Sequence, residues 1–114
     1  MWGQARGRVT VLSTIQEIAA RMAAHGAVLP GKTIRIDTKD AGVIHLDGVN
    51  GRVLPGGDAP ADAVMHISLR DLAALVDGQI DSTVCCLLGK LRLEGETPLV
   101  FRLQEIFNKA RETA

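Results

Sequence analysis

Four groups of residues in this 114-residue chain are of types that can do chemistry. The first is Gly26-Ala27-Val28-Leu29-Pro30-Gly31-Lys32-Thr33, which fits the phosphate-cradling pattern GxxxxGK[ST] letter for letter. Such a loop works when a strand delivers it and a helix leaves it, because the backbone N–H groups at the helix N-terminus then point at the phosphates. Here the order is reversed: a helical pattern precedes the loop, and Thr33 to Asp37 follows with strand alternation. Val43 to Asp47 imitates the carboxylate-bearing strand of nucleotide hydrolases, but that does not restore the context, and the chain is short for such a domain. The loop therefore reads as a helix stop at Gly26, a proline break and a strand opening. The second group is the adjacent pair Cys85-Cys86. Neighbouring cysteines rarely form a structural disulfide, and two are too few for a disulfide framework. Nothing close in sequence is basic enough to lower a thiol pKa, except a helix N-terminus about one turn away. Reduced, packed thiols are expected, with a redox or nucleophilic pair as the alternative.

The third group is the histidines. His45 and His66 fall on the polar sides of their strands, with no cysteine or histidine at ligand spacing, so solvated histidines and no metal are expected. His25 sits at a helix C-terminus, where capping is the expected role. The fourth group is Asp37, Asp40 and Asp47, carboxylates near turns, where aspartate serves the backbone. There is no Ser-His-Asp order and no G-x-S-x-G elbow. No catalytic set, cofactor or metal is expected.

Composition narrows the partners. Lysine plus arginine balance aspartate plus glutamate at 13 each with no basic run, so nucleic acid and purely electrostatic membrane binding are not expected. Aromatic content of 3% leaves no base-stacking platform. No apolar run reaches the roughly 18 residues of a membrane span, and the N-terminal stretch lacks a signal-peptide core. The C-terminus carries no peroxisomal address, so the cytoplasm is the expected compartment. At this length one domain with one core is expected, over residues 13–114, with residues 1–12, including Trp2, as a flexible segment.

The elements follow from periodicity. Ile15, Ile18, Ala19 and Met22 make one apolar stripe, with Ser13/Gln16 or Thr14/Glu17 as capping box and Gly26 as stop. Residues 32–54 read as three short strands, with a turn at 39–42 and a short hairpin signal at Asn50-Gly51. A loop from Pro55 to Pro60 leads to a fourth strand at Ala63, Met65 and Ile67. Ser68 with Asp71 caps a helix whose apolar face is Leu69, Leu72, Leu75 and Val76, ended by Gly78. Asp81 caps a second short helix with the stripe Val84, Leu87 and Leu88, ended by Gly89. Leu91 and Leu93 mark the fifth strand. Thr97-Pro98 reads as N-cap and N1 of a last helix to about residue 112, with Leu99, Leu103, Ile106, Phe107 and Ala110 inward. The sum is an α+β domain: a five-stranded, largely antiparallel sheet whose strands each have one apolar face, covered by helices on that side.

The ordered set 52–103 resembles the sterol carrier protein 2 family, as a bacterial-type stand-alone member. The anchors are Val53-Leu54-Pro55, Ala61-Asp62, the helix end from Leu72 to Gly78, Gly89-Lys90-Leu91, Gly95 and the run to Leu103. The resemblance spreads over about half the chain and carries no catalytic signature. It implies an apolar tunnel between sheet and helices that accepts a fatty acyl chain, acyl-CoA, isoprenoid or sterol. Carried over, the wall would be Met65, Ile67, Leu72, Leu75, Val76, Val84, Cys85, Leu88, Leu99, Leu103, Ile106 and Phe107. The same residues would equally fill a solid core. At Cys85-Cys86-Leu87-Leu88 the chain departs from vertebrate members, which carry an aromatic pair followed by glutamine, and the departure favours a simple acyl or isoprenoid chain over a sterol. The implied function is non-covalent lipid binding, with transfer or presentation of the lipid, and at most transient membrane contact. The alternative implied by bacterial relatives is an accessory module with a collapsed tunnel that docks to a lipid- or quinone-metabolising enzyme.

Overall fold

The computed structural model describes residues 14–39, 41–57 and 59–111. The expectations for residues 1–13, Asp40, Asp58 and the end of the last helix beyond Arg111 lie outside them. Helix α1 spans Ile15–Ala24 and starts on the full capping box: Thr14 Oγ1 accepts from the Glu17 N–H, and the Glu17 carboxylate accepts from the Thr14 N–H. His25 is its C-cap, and Gly26 follows at φ 59°. Strands β1 (Thr33–Asp37), β2 (Val43–Asp47), β3 (Arg52–Pro55), β4 (Ala63–Ile67) and β5 (Leu91–Gly95) form one sheet in the order β3-β2-β1-β4-β5. Three of the pairings are antiparallel; β1 and β4 run parallel, Ile34 opposite Ala63 through Asp37 opposite His66. The sheet is thus mixed but mainly antiparallel, and with its helices makes an α+β domain.

A parallel pair needs a crossover, and here a loop supplies it. Arg35 Nη1 on β1 donates to the Ala59 carbonyl at 3.2 Å, so the loop between β3 and β4 runs over the sheet face opposite the helices. That crossing corrects the expectation for His45. The residue is only 9% exposed rather than solvated, and its Nδ1 has no partner among the described residues. Asp62 then latches the loop to the start of β1: its Oδ2 accepts from the Thr33 N–H (2.9 Å) and hydroxyl (3.3 Å), while its own N–H donates back to Thr33. The Thr33 N–H bond, chiefly, holds the Asp62 carboxyl below its ordinary pKa, helped by the Thr33 hydroxyl and the Lys32 charge and opposed by desolvation. A depressed carboxylate contributes stability that is present above its unfolded pKa of about 3.9 and lost as pH falls through the lower folded value. Asp62→Asn is therefore expected to be less stable than the parent near neutrality and to flatten the acid limb of the stability curve. Denaturant midpoints measured from pH 6 down to about 2 check this; equal acid slopes for both proteins would remove the latch from the pH response.

The turn after β2 differs from a two-residue hairpin. Asp47 pairs with Arg52, leaving a four-residue loop whose N–H groups at Val49 and Asn50 donate to Asp47 Oδ1 at 3.0 Å each. Helix α2 (Leu69–Val76) is capped by Ser68, whose Oγ accepts from the Asp71 N–H, and α3 (Ser82–Leu87) by Asp81, whose carboxylate accepts from the Val84 N–H. After β5 the chain does not enter an α-helix at Thr97. Residues Thr97–Arg102 form a 3₁₀ segment with Glu96 at its N-cap and no side-chain cap; the α-helix proper, α4, is Leu103–Arg111. The Glu96 N–H reaches back to the Asp62 carbonyl and the Leu99 N–H closes on Glu96, so the segment is held in i→i+3 bonds before α-helical pairing begins.

Candidate functional site

The candidate site is the apolar interior between sheet and helices. Strand alternation sends Ile34, Ile36, Ile44, Leu46, Val53, Met65 and Ile67 to the helix-covered face, where each is buried. Above them Ile18, Ala19 and Met22 of α1, Leu72, Leu75 and Val76 of α2, and Leu103, Ile106, Phe107 and Ala110 of α4 point down, with Leu99 from the 3₁₀ segment. They form one continuous buried cluster. Two long cations tie its helical lid to backbone carbonyls: Arg21 Nε donates to Ala110 at 3.1 Å, and Lys109 Nζ to Val28 at 2.9 Å. Both link positions more than 80 residues apart, which is why sequence reasoning did not find them.

Of the twelve residues carried over as a lipid wall, ten lie in this cluster: Met65, Ile67, Leu72, Leu75, Val76, Cys85, Leu99, Leu103, Ile106 and Phe107. Val84 and Leu88 do not; they are 40% and 60% exposed, and Leu87 is 81% exposed. The α3 stripe thus faces out rather than in. A helix this short is oriented by its few fixed contacts. The Ser82 N–H donates to Gln104 Oε1 on α4, and Cys85, three residues on, is fully buried, so the Ser82–Cys85 face turns inward. Phe101 at 88% exposure is the other large apolar side chain left out in this part of the chain.

The two thiols are free, Cys85 buried and Cys86 half-buried. Burial, the largest effect, pushes both pKa values up, and for Cys85 the Asp71 carboxylate adds to it. A raised thiol pKa is the reverse of what a nucleophile needs.

The GxxxxGKT stretch does not form a phosphate cradle. Its N–H groups are spent internally: Gly31 donates to Gly48, Lys32 to Leu29, and Thr33 to Asp62. Thr33 opens a strand, not a helix. Lys32 Nζ forms an ion pair with Glu96 at 2.9 Å, and that hydrogen bond, first, raises the lysine pKa. Among the described residues no group of three or more His, Cys, Asp and Glu side chains is placed to hold a metal ion.

Among the described residues, two surface cavities touch the predicted wall, each at one residue. One, of about 520 Å³, includes Ile67 among its lining, and the other, of about 590 Å³, includes Val84. Neither was visible from sequence, because the first is assembled from three separated segments and the second from two that lie some twenty residues apart.

Comparison with known proteins bears on this geometry. The family model of the SCP-2 sterol transfer family matches residues 12–108. The curated sterol carrier protein 2 of Bos taurus is 31% identical over 64 residues; the match takes in 56% of this chain and only 12% of that much longer protein. The solution structure of palmitated sterol carrier protein 2-like 2 from Aedes aegypti superposes with a TM-score of 0.64 at 24% identity, covering 82% of this chain and 94% of that one. The ubiquinone synthesis protein UbiJ-SCP2 superposes with a TM-score of 0.55 at 22% identity, covering 79% and 74%. At such identities the two superpositions speak for the fold.

Proposed function

We propose, from the premise that the chain belongs to the SCP-2 sterol transfer family, that it binds the hydrocarbon part of a lipid non-covalently in the interior between sheet and helices and carries or presents it without covalent change. The observation that carries this reading is the family match together with one unbroken apolar cluster under the helical lid. The palmitated mosquito structure of the same fold supports an acyl chain as the occupant. The ten buried wall residues are the proposed contacts, and Val84 and Leu88 the rim through which a chain passes. Residues 13–114 are the proposed lipid-binding domain, and a cytoplasmic location goes with the reading. No helix among the described residues is long and apolar enough to cross a membrane.

A lipid that binds the native state and not the unfolded chain stabilises it by mass action, by about 2.7 kcal/mol at a hundredfold excess over Kd. The expected result is a raised melting temperature with one or more members of a panel of fatty acids, acyl-CoAs, isoprenoids and sterols, and a co-purified lipid in native mass spectra. ATP with magnesium is expected to shift nothing, and Lys32→Ala to retain lipid binding. A panel that leaves the melting temperature unmoved sinks the reading; an ATP-dependent shift lost in Lys32→Ala would restore the phosphate-loop alternative.

A second reading has its own support. The UbiJ-SCP2 likeness and the outward apolar face of Val84, Leu87 and Leu88 favour an accessory module that docks to a lipid- or quinone-metabolising enzyme. Native mass spectra separate the two: a bare chain bound to an enzyme speaks for docking, and a chain carrying lipid for transport.

A further inference from the structure

We propose that β5 is a self-association edge: two copies of this chain pair their β5 strands antiparallel about a two-fold axis at Leu93, joining two five-stranded sheets into one. The proposal does not depend on what the interior binds. The sheet order leaves two edges, β3 and β5. Which backbone groups face outward follows from the alternation of hydrogen bonds along antiparallel strands. The Gly48 N–H donates to the Lys32 carbonyl, so Lys32, Ile34 and Ile36 bond towards β2, and Thr33, Arg35 and Asp37 are left for β4. The parallel register then bonds Ala63 and Met65 to β1, which leaves Val64 and His66 to bond Glu94 and Arg92 of β5. The Glu96 N–H, donating to the Asp62 carbonyl at 2.9 Å, continues that same set. The N–H and C=O groups of Leu91, Leu93 and Gly95 therefore point off the sheet, and none has a partner among the described residues.

The other edge is closed. By the same alternation Val53 and Pro55 face outward on β3; proline has no N–H to give, and α1 packs against the strand. β5 carries no proline and no break in its register. Its side chains select the partner. Arg92 and Glu94 stand on the face away from the helices, 66% and 56% exposed, with half-buried Leu93 between them on the other face. The central two-fold registers of such a strand turn about Arg92, Leu93 or Glu94. The first sets Arg92 against Arg92 and the last Glu94 against Glu94, and like charges directly opposite are destabilising. The register about Leu93 lets the two Leu93 residues exchange both bonds across the axis. It also sets each Arg92 opposite Glu94 of the second copy, in the non-hydrogen-bonded pairs where side chains lie closest. Existing bonds leave room for this. Arg92 Nη1 donates to its own Glu94 Oε2 at 3.0 Å, so Nε and Nη2 remain for the second carboxylate. Glu94 keeps Oε1 on His66 and has a second lone pair on Oε2 for the incoming guanidinium. The four groups make a square of alternating sign. Exposed Leu87, Leu88 and Phe101 lie on the segments just before and after β5, which pack against it, and this apolar surface adds a driving force beside the ladder.

Sedimentation equilibrium measures the association, and two charge reversals test its register. The parent is expected to form a dimer and nothing larger, because the pairing uses up the open edge. Arg92→Glu leaves two acids on the outer face of β5 and Glu94→Arg two bases. Each alone sets like charges across the axis, and its dimer Kd is expected to rise at least about tenfold. Mixed one to one, the two variants restore both opposite pairs, and a heterodimer of near-parental affinity is expected. That recovery also certifies that both variants are folded. Amide hydrogen exchange reads the backbone. The Leu93 N–H is expected to exchange about tenfold more slowly in concentrated than in dilute parent, while those of Arg92 and Glu94, bonded to β4 within one chain, stay unchanged. A parent that is monomeric at about 1 mM overturns the proposal and leaves the edge to a strand of some other protein. Single reversals that associate like the parent, a mixture that does not recover, or concentration-dependent protection that misses Leu93 would put any dimer on another surface and overturn it as well.

Discussion

Gly48→Ala is expected to unfold the protein or to cost more than about 4 kcal/mol, the upper end of what single substitutions do. Gly48 begins the turn after β2. A Cβ there would sit 1.7 Å from the Leu29 carbonyl oxygen and 2.4 Å from that of Lys32, both backbone atoms. No side chain can swing aside to relieve such an overlap; one segment must leave the other. The two segments are also zipped together, since the Gly48 N–H donates to the Lys32 carbonyl at 2.8 Å and its carbonyl accepts the Gly31 N–H at 2.9 Å. Separating them strands those groups and loosens the loop that carries Ala27, Val28 and Leu29 into the core. Gly51 supplies the control. Its φ is 68°, and an added Cβ meets nothing within 4 Å, so Gly51→Ala carries only the left-handed backbone penalty of about 1–2 kcal/mol. Denaturant midpoints of the two variants measure the difference. A Gly48→Ala protein as stable as Gly51→Ala would mean that the approach of the two backbones is not required by the fold.

The same pair of segments explains why the phosphate-loop letters mislead. Gly31 and Lys32 serve a backbone docking that only Gly48, sixteen or more residues away, makes intelligible. Local signals were legible throughout: the caps at Thr14, Ser68 and Asp81, and the strand alternation at Ile34/Ile36 and Ala63/Met65/Ile67, depend on neighbours within a turn or two. What escaped depended on distant contacts. The parallel pairing of β1 with β4 and the burial of His45 both follow from a crossover whose path no local pattern encodes. The face of α3 went wrong because six residues carry little amphipathic information, and Gln104, on another helix, decides which side turns in. Thr97-Pro98 looked like an ordinary helix start, yet the Asp62 carbonyl, from the crossover loop, takes the Glu96 N–H and the turn tightens to 3₁₀. The apolar cluster was legible as a set of inward residues, whereas whether lipid shares its space is a property of volume, which periodicity does not carry.

Leu103→Trp addresses that volume directly, and its expected effect on lipid affinity is large, at least tenfold, because an indole placed among the proposed contacts competes with the acyl chain for the same apolar space. Leu103 opens α4 and is fully buried, with Leu99 at 4% exposure a turn before it and Phe107 fully buried a turn after. In a close-packed core, added volume forces neighbouring side chains off their rotamers and costs about 1–3 kcal/mol. Where the interior opens to take an acyl chain, the ring enters space the lipid would use, and its own burial offsets the strain. The expected result is therefore a variant of near-parental stability that has lost its lipid-dependent rise in melting temperature. A solid core predicts the opposite pairing: clear destabilisation, with no lipid binding in the parent to lose. A third outcome, strong destabilisation with lipid affinity unchanged, would put Leu103 in packed core remote from the chain and would remove α4 from the proposed wall. Titration of parent and variant with the same fatty acid, beside their denaturant midpoints, distinguishes all three.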